Sequence, residues 1–236
     1  MRVAALYDIH GNLPALEAVL AQLDDEAIDA YVIGGDTTAG PLPAETLERV
    51  LALGDRAHII RGNGDRLTRE AAEAASLSEE QIDFMTSLPL TVTLDVDGLG
   101  PTLFCHATPR SDEEVFTERD PDELVAELLA GTQEATVVCG HTHLQVDRRI
   151  GRWRVVNAGS VGFPNDALGA HWAILGPDVE LRQLDYDRDA AYEQFKQTHW
   201  YATDRGNFLV ENLLKPPTRA EALDFFDGYS ARQRGA

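Results

Sequence analysis

The sequence is short of three things, and each shortage narrows the functions open to it. Positive charge comes first: 20 Lys and Arg stand against 40 Asp and Glu, for a formal net charge of −20. A protein that grips long nucleic acid by its phosphates needs a positive footprint. No long nucleic acid and no anionic membrane surface is therefore expected as a partner. A small phosphorylated substrate stays open, because bound cations invert the local field of a site whatever the global charge. Long apolar runs come second. None approaches the roughly 20 residues of a membrane span. The opening MRVAALYDIHGN also lacks the basic start, longer apolar stretch and small-residue cleavage site of a signal peptide. The chain is expected to be soluble and cytoplasmic. Cysteine comes third. Cys105 and Cys139 each end an apolar run and fit no zinc spacing, so both read as buried strand residues rather than a disulfide.

What is present is an ordinary globular balance, 44% hydrophobic and 25% charged over 236 residues. That length suits one large domain, or one domain with an appendage. Val3–Ile9 reads as a buried strand, Leu13–Asp24 as a helix with Pro14 in its first turn, Ala30–Gly35 as a strand, Pro43–Leu53 as a helix and His58–Ile60 as a strand. Strand and helix alternating in this way imply a parallel α/β sheet. Residues 66–88 read as helical, with Ser78 and Gln81 spaced as a capping box. Leu90–Asp97 and Thr102–His106 flank the turn DGLG as a hairpin. Pro121–Ala130 follows as a helix, Ala135–Cys139 as a strand, and hairpins centre on Gly151 and between His171–Leu175 and Val179–Leu184. The division expected is a domain over 1–186 with a helical C-terminal extension, 187–236, packed on it.

Five pieces stand at the carboxyl ends of these strands: Asp8-Ile9-His10, Gly35-Asp36, Gly62-Asn63, His106 and Gly140-His141-Thr142-His143. A hydrophobic core has no use for five strand ends that deliver only His, Asp and Asn. A cluster of divalent cations does, and ligand sites of open α/β sheets gather at that edge. In an extended chain residues i and i+2 point the same way, so Asp8 with His10, and His141 with His143, are expected to reach one ion each. The helix opened by Pro14 is expected to aim free N–H groups at the same edge as a phosphate cradle.

The order DxH, GD, GN, H, GHxH resembles the calcineurin-like metallophosphoesterase superfamily. DIHGN with GHTH and the following VVNAGSVG are most similar to its small bacterial and archaeal members. The resemblance runs from Asp8 to Gly162 and implies a four-layer α/β/β/α sandwich of two mixed sheets. It also implies two divalent ions, Mn²⁺, Fe²⁺, Zn²⁺ or Ni²⁺ with Mn²⁺ preferred. One ion would be held by Asp8, His10 and His143 and the other by Asn63, His106 and His141, with Asp36 between them. The implied chemistry is hydrolysis of a small phosphodiester, nucleotide or phosphoanhydride by a hydroxide shared between the ions, with Asp36, His10 and Asn63 nearest the reaction. A binding module that keeps the fold without turnover, and a nuclease, are the alternatives.

Two departures bear on substrate. Many members follow the Asn with a His, the presumed general acid; here the motif is GNGD, with Gly64 in that place. A general acid is commonly worth about 10²–10⁴ in rate, so good leaving groups are expected: aryl esters, cyclic diesters or anhydrides. GGDTTAGPLP also lacks the VDRG continuation of the protein phosphatases. Of the arginines flanking the motifs, Arg61, Arg66 and Arg110, the last is expected to meet substrate phosphate bidentately. Asp65 is either a support for the ligands or a plain turn carboxylate. Arg110–Asp120 is expected to form a mobile rim, and His58, His171 and His199 to have no part in the site.

Overall fold

A computed structural model describes residues 1–66 and 77–235. Strand β1 is Val3–Leu6, β2 Ala30–Ile33 and β3 Ala57–Ile59; between them run helices α1, Leu13–Leu23, and α2, Pro43–Leu51. Helix α3, Glu79–Ser87, leads into β4, Thr91–Val96, and β5, Gly100–Cys105. Helix α4, Asp122–Leu128, precedes β6, Thr136–Cys139, β7, Val146–Ile150, β8, Trp153–Asn157, β9, Ala170–Leu175, and β10, Val179–Leu184. The chain closes with α5, Arg188–Phe195, α6, Asp204–Leu214, and α7, Arg219–Gln233. The N-terminal part of the helix expected over 66–88 lies outside the described residues. Its second part is α3, opened by the Ser78–Gln81 capping box.

The strands form two mixed five-stranded sheets, in the orders β10-β9-β1-β2-β3 and β4-β5-β6-β8-β7. In the first, β1, β2 and β3 are parallel and β9 and β10 antiparallel. In the second, β5, β6 and β8 are parallel, with β4 and β7 antiparallel at the edges.

Strand periodicity builds the layers. Val3, Ala5 and Tyr7 point one way and meet Val32, Phe104, Val138 and Val156 in an apolar layer between the sheets. Ala4 and Leu6 point the other way, onto Leu16, Val19, Leu20 and Leu23 of α1. On the far side of the second sheet Leu103, Cys105, Val137, Cys139 and Val155 pack under Val125 of α4 and Leu129. Full burial of each large aliphatic side chain contributes roughly 1.5–3 kcal/mol. The result is the four-layer α/β/β/α sandwich. Both cysteines are free thiols buried in its strands. Ala191 and Phe195 of α5 and Val210 and Leu213 of α6 pack on Phe163, while Ala222, Leu223 and Phe226 of α7 pack on Val115 and Leu144. Among the described residues no helix is long and apolar enough to cross a membrane.

Candidate metal centre

The carboxyl ends of β1, β2, β3, β5 and β6 converge on one edge of the sandwich. There the strands stop short of the spans their composition suggests: β1 ends at Leu6 and β2 at Ile33. The reason is backbone conformation. Asp8, His10, Asp36, His141 and His143 all have positive φ, at 51°, 50°, 50°, 67° and 57°. The extended geometry expected for Asp8 with His10, and for His141 with His143, is therefore wrong; these side chains converge because the chain turns through left-handed residues. A non-glycine residue there costs of order 1–3 kcal/mol and persists only where its surroundings fix it. Cross-loop backbone bonds do the fixing. The Asp8 N–H donates to Gly35 O (3.2 Å), His10 N–H to Asp36 O (2.8 Å), Gly140 N–H to His106 O (2.9 Å) and Gly162 N–H to Asp8 O (3.0 Å). Gly140 is needed for close approach: a β-carbon on it would lie 2.4 Å from Asp8 Oδ2.

The side chains meet in a small volume. Asp8 Oδ1 is 3.4 Å from His143 Nε2, 3.8 Å from His10 Nε2 and 3.9 Å from His106 Nε2. Asp36 reaches both ways, with Oδ2 3.6 Å from His10 Nε2 and Oδ1 3.6 Å from His106 Nε2. Asn63 Oδ1 lies 3.1 Å from His106 Nε2, and the rings of His106 and His141 are 5.0 Å apart between centroids. Asp8, His10, Asp36, His106 and His143 are buried. Within this cluster Asp8, His10 and His143 form one group able to hold an ion, and Asp8, Asp36 and His106 a second.

Hydrogen bonding aims this cluster at a cation. His10 Nδ1 donates to Ala39 O (2.9 Å), His106 Nδ1 to Gly34 O (2.9 Å) and His143 Nδ1 to Phe163 O (2.6 Å). A carbonyl only accepts, so each neutral ring carries its proton on Nδ1 and turns the Nε2 lone pair inward. His10 Nε2 and His143 Nε2 are then 3.2 Å apart, lone pair to lone pair. Asp8 Oδ2 accepts the His141 N–H (2.8 Å), but Asp8 Oδ1 and His141 Nε2 are buried without a hydrogen-bond partner among the described residues. Buried polar atoms are nearly always paired. Converging lone pairs and unpaired acceptors fit divalent ions, and a donor set of imidazole nitrogen and carboxylate or amide oxygen suits first-row metals.

Electrostatics point the same way. Burial alone would raise Asp8 and Asp36, yet the surrounding imidazoles, His143 and His106 foremost for Asp8 and His106 and His10 for Asp36, hold both below the usual carboxylate range. Burial pushes His10 and His141 down to about 4. Burial also opposes charge on His106 and His143, but the carboxylates of Asp36 and Asp8 outweigh it and raise both. The cavity favours positive charge between its two carboxylates, as protons or as metal.

Around this cluster lies a supporting set. Asp65 is buried and accepts the N–H groups of Thr37 (2.9 Å), Thr38 (3.3 Å) and Gly62 (3.0 Å), clamping the Asp36 loop to the Asn63 turn. Burial and the nearby Asp36 push it up to about 6. Asn157 Nδ2 donates to Gly140 O (2.6 Å) and Thr142 Oγ1 (3.0 Å). Ser160 was missed by sequence reasoning, although the NAGSVG motif contains it; its hydroxyl donates to Asp8 O (2.8 Å) and accepts from Phe163 N–H (2.8 Å). The carbonyls that orient the histidines have no sequence signal at all.

Other expectations fare differently. Of the N–H groups expected to form a phosphate cradle at α1, that of Ala15 is taken by Asn12 Oδ1 (3.1 Å), that of Leu16 by Asn12 O (3.1 Å), and Pro14 has none. Arg110 is exposed, held bidentately by Glu114 (2.7 and 3.0 Å), and lines a hollow with Gln233 and Arg234. Arg61 and Arg66 both bind Asp112, at 3.0 and 3.3 Å. The Arg110–Asp120 rim is tied down by α7: Gln233 Nε2 donates to Glu113 O (2.7 Å), and Arg234 pairs with Asp120 (3.1 Å).

Comparison with known proteins agrees with this geometry. The family model of the calcineurin-like phosphoesterase superfamily domain matches residues 1–179. Phosphodiesterase YfcE of Escherichia coli is 28% identical over 189 residues, covering 76% of this chain and 89% of that one. An uncharacterized protein of Methanocaldococcus jannaschii, MJ0912, is 26% identical over 226 residues, covering 81% of this chain and 90% of that one. Among solved structures, a metallophosphoesterase from Sphaerobacter thermophilus superposes with a TM-score of 0.73 at 25% identity, covering 91% of this chain and 98% of that one.

Proposed function

The chain belongs to the calcineurin-like phosphoesterase superfamily, and from that premise we propose that it hydrolyses a small phosphodiester, nucleotide or phosphoanhydride with two divalent cations held by Asp8, His10, Asp36, Asn63, His106, His141 and His143. One observation carries the reading. Three imidazoles have their Nδ1 protons committed to backbone carbonyls, and their Nε2 lone pairs converge on two buried carboxylates. Cations bound there supply positive charge for phosphoryl oxygens and acidify water toward neutral pH. Asp8 belongs to both groups and Asp36 lies 3.6 Å from both His10 Nε2 and His106 Nε2, so both carboxylates would serve the two ions, with Asp36 Oδ1 further fixed by the Gly64 N–H (2.6 Å). Asn63 adds a neutral oxygen beside His106.

Substrate preference follows from Gly64. A β-carbon there would lie 2.8 Å from Ala39 Cβ and 3.0 Å from Asp36 Cγ. The turn sits against Asp36 as glycine and offers no side chain to protonate a leaving group. That favours leaving groups stable as anions, hence aryl or activated diesters over alkyl monoesters. The diesterase name of the E. coli relative supports the same choice. The net charge of −20 favours a small substrate over long nucleic acid or a membrane surface. A cytoplasmic setting completes the reading, in keeping with two free thiols.

The test is hydrolysis of bis(p-nitrophenyl) phosphate against p-nitrophenyl phosphate, with Mn²⁺ and with chelator, for the wild type and Asp36→Ala. The expected result is Mn²⁺-dependent cleavage with the diester preferred, lowered about 10³-fold in kcat/KM by the substitution, the equivalent of roughly 4 kcal/mol of transition-state stabilisation. Cleavage that survives chelation or Asp36→Ala contradicts the reading.

A further inference from the structure

Three segments that carry or back the ligands are tied together by one side chain of the last helix. Pro216 and Pro217 interrupt the chain, and Thr218 then opens α7 with a capping box: its N–H donates to Glu221 Oε2 (2.8 Å), and its hydroxyl accepts the Glu221 N–H (3.3 Å). Arg219 is thereby the first helical residue, and its guanidinium forks three ways. Nη2 donates to Gln145 O (3.1 Å), Nε to Glu118 Oε1 (3.0 Å), and Nη1 pairs with Asp166.

Each of those partners leads to the centre. Gln145 stands two residues after His143 and is anchored by its own amide, which donates to the carbonyls of Ala158, Trp172 and Arg182 at 3.1, 3.0 and 3.0 Å. Asp166 follows Asn165, whose N–H donates to His143 O (3.2 Å) and whose Nδ2 donates to Thr142 O (3.0 Å). The same segment supplies the Phe163 carbonyl that orients the His143 ring. Glu118 lies in the loop that follows His106. His143 is held at φ 57°, a conformation its β-carbon disfavours, so it depends on being fixed from both sides. Arg219 ties those two sides to each other.

We propose that Arg219 is a positioning residue for the metal centre, through which α7 sets the affinity of the cluster for cations. The inference rests on the reading above that these residues hold divalent ions. It gives a function to a helix beyond residues 1–179, the region matched by the family model. A planar fork with fixed donors is required, so lysine is not equivalent.

Arg119 provides the contrast. It ties the same helix to the same loop, its Nη1 donating to Asp224 (2.6 Å) and Asp227 (2.8 Å), and its side chain makes no hydrogen bond to residues 142–145 or 163–166. The experiment is calorimetric titration of Mn²⁺ into the chelator-stripped full-length protein, with thermal melts in parallel. Arg219→Met is expected to weaken Mn²⁺ binding about tenfold, the low end for support of metal ligands, with Asp166→Asn weakening it similarly and Arg219→Lys falling between. Arg119→Met is expected to lower the melting temperature while leaving Mn²⁺ affinity within about twofold. Unchanged affinity in both Arg219→Met and Asp166→Asn overturns the proposal. So does an equal loss in Arg119→Met, which would mark general loosening. A wild type that binds no Mn²⁺ overturns the reading of the centre itself, and this proposal with it.

Discussion

The middle and the edge of the sandwich are built from the same strands and follow opposite rules. In β1, Val3 and Ala5 face the second sheet and Ala4 and Leu6 face α1, all fully buried in regular extended backbone. Two residues past Leu6 the chain adopts φ 51° at Asp8 and then φ 50° at His10. The middle gains stability from apolar contact with little conformational cost. The edge gathers two carboxylates and four imidazoles, with Asp8 Oδ1 and His141 Nε2 buried and unpaired among the described residues. Strain of this sort persists at functional sites because the rest of the fold offsets it.

The largest effect expected from this contrast is at Phe104, fully buried between the sheets. Phe104→Ala should lower unfolding free energy by about 3–5 kcal/mol, measured by denaturant titration, while Mn²⁺ affinity of the protein that stays folded is unchanged. Loss of affinity in step with stability would show that the two regions are one unit.

Proton binding sharpens the contrast with a smaller effect. His171, on the same face of β9 as Ala173, is buried, and burial lowers it from its ordinary 6.5 against the smaller opposing pulls of Asp166 and the Leu168 backbone. Folded, it binds fewer protons than unfolded. Its contribution to stability is complete above pH 6.5 and is lost as pH falls through the depressed value. His106 and His143 are raised from 6.5 beside the carboxylates, so in chelator their contribution is complete below 6.5 and is lost as pH rises through the raised values. His171→Gln should therefore flatten the acid side of the stability profile and leave its alkaline side unchanged. An unaltered acid limb would contradict the assignment.

The sequence made the middle legible because apolar period and length determine it: Val3–Ile9 reads as a buried strand, Ala135–Cys139 as a strand, and the DGLG and Gly151 turns as hairpins, and the strands found are Val3–Leu6 and Thr136–Cys139. It also exposed the candidate ligands, since His, Asp and Asn at successive strand ends are not core residues. It hid how they meet. The left-handed turns at Asp8, His10, Asp36, His141 and His143 have only a weak local signal, the greater tolerance of Asp and His for positive φ; bonds such as His10 N–H to Asp36 O, between loops distant in sequence, impose them. The capping of the Ala15 N–H by Asn12 turned on one rotamer. The restraint of the 110–120 rim depends on ion pairs such as Arg119 with Asp224, 105 residues apart, which no local pattern announces.

The most direct test of the central claim is the number of ions bound. Mn²⁺ titrated calorimetrically into the chelator-stripped protein should saturate at about two per chain, with proton release from the raised imidazoles; Asp8→Asn, which alters the carboxylate common to both ligand groups, should weaken both. Absence of binding by the wild type, or stoichiometry and affinity untouched by Asp8→Asn, would contradict a metal centre built from these residues.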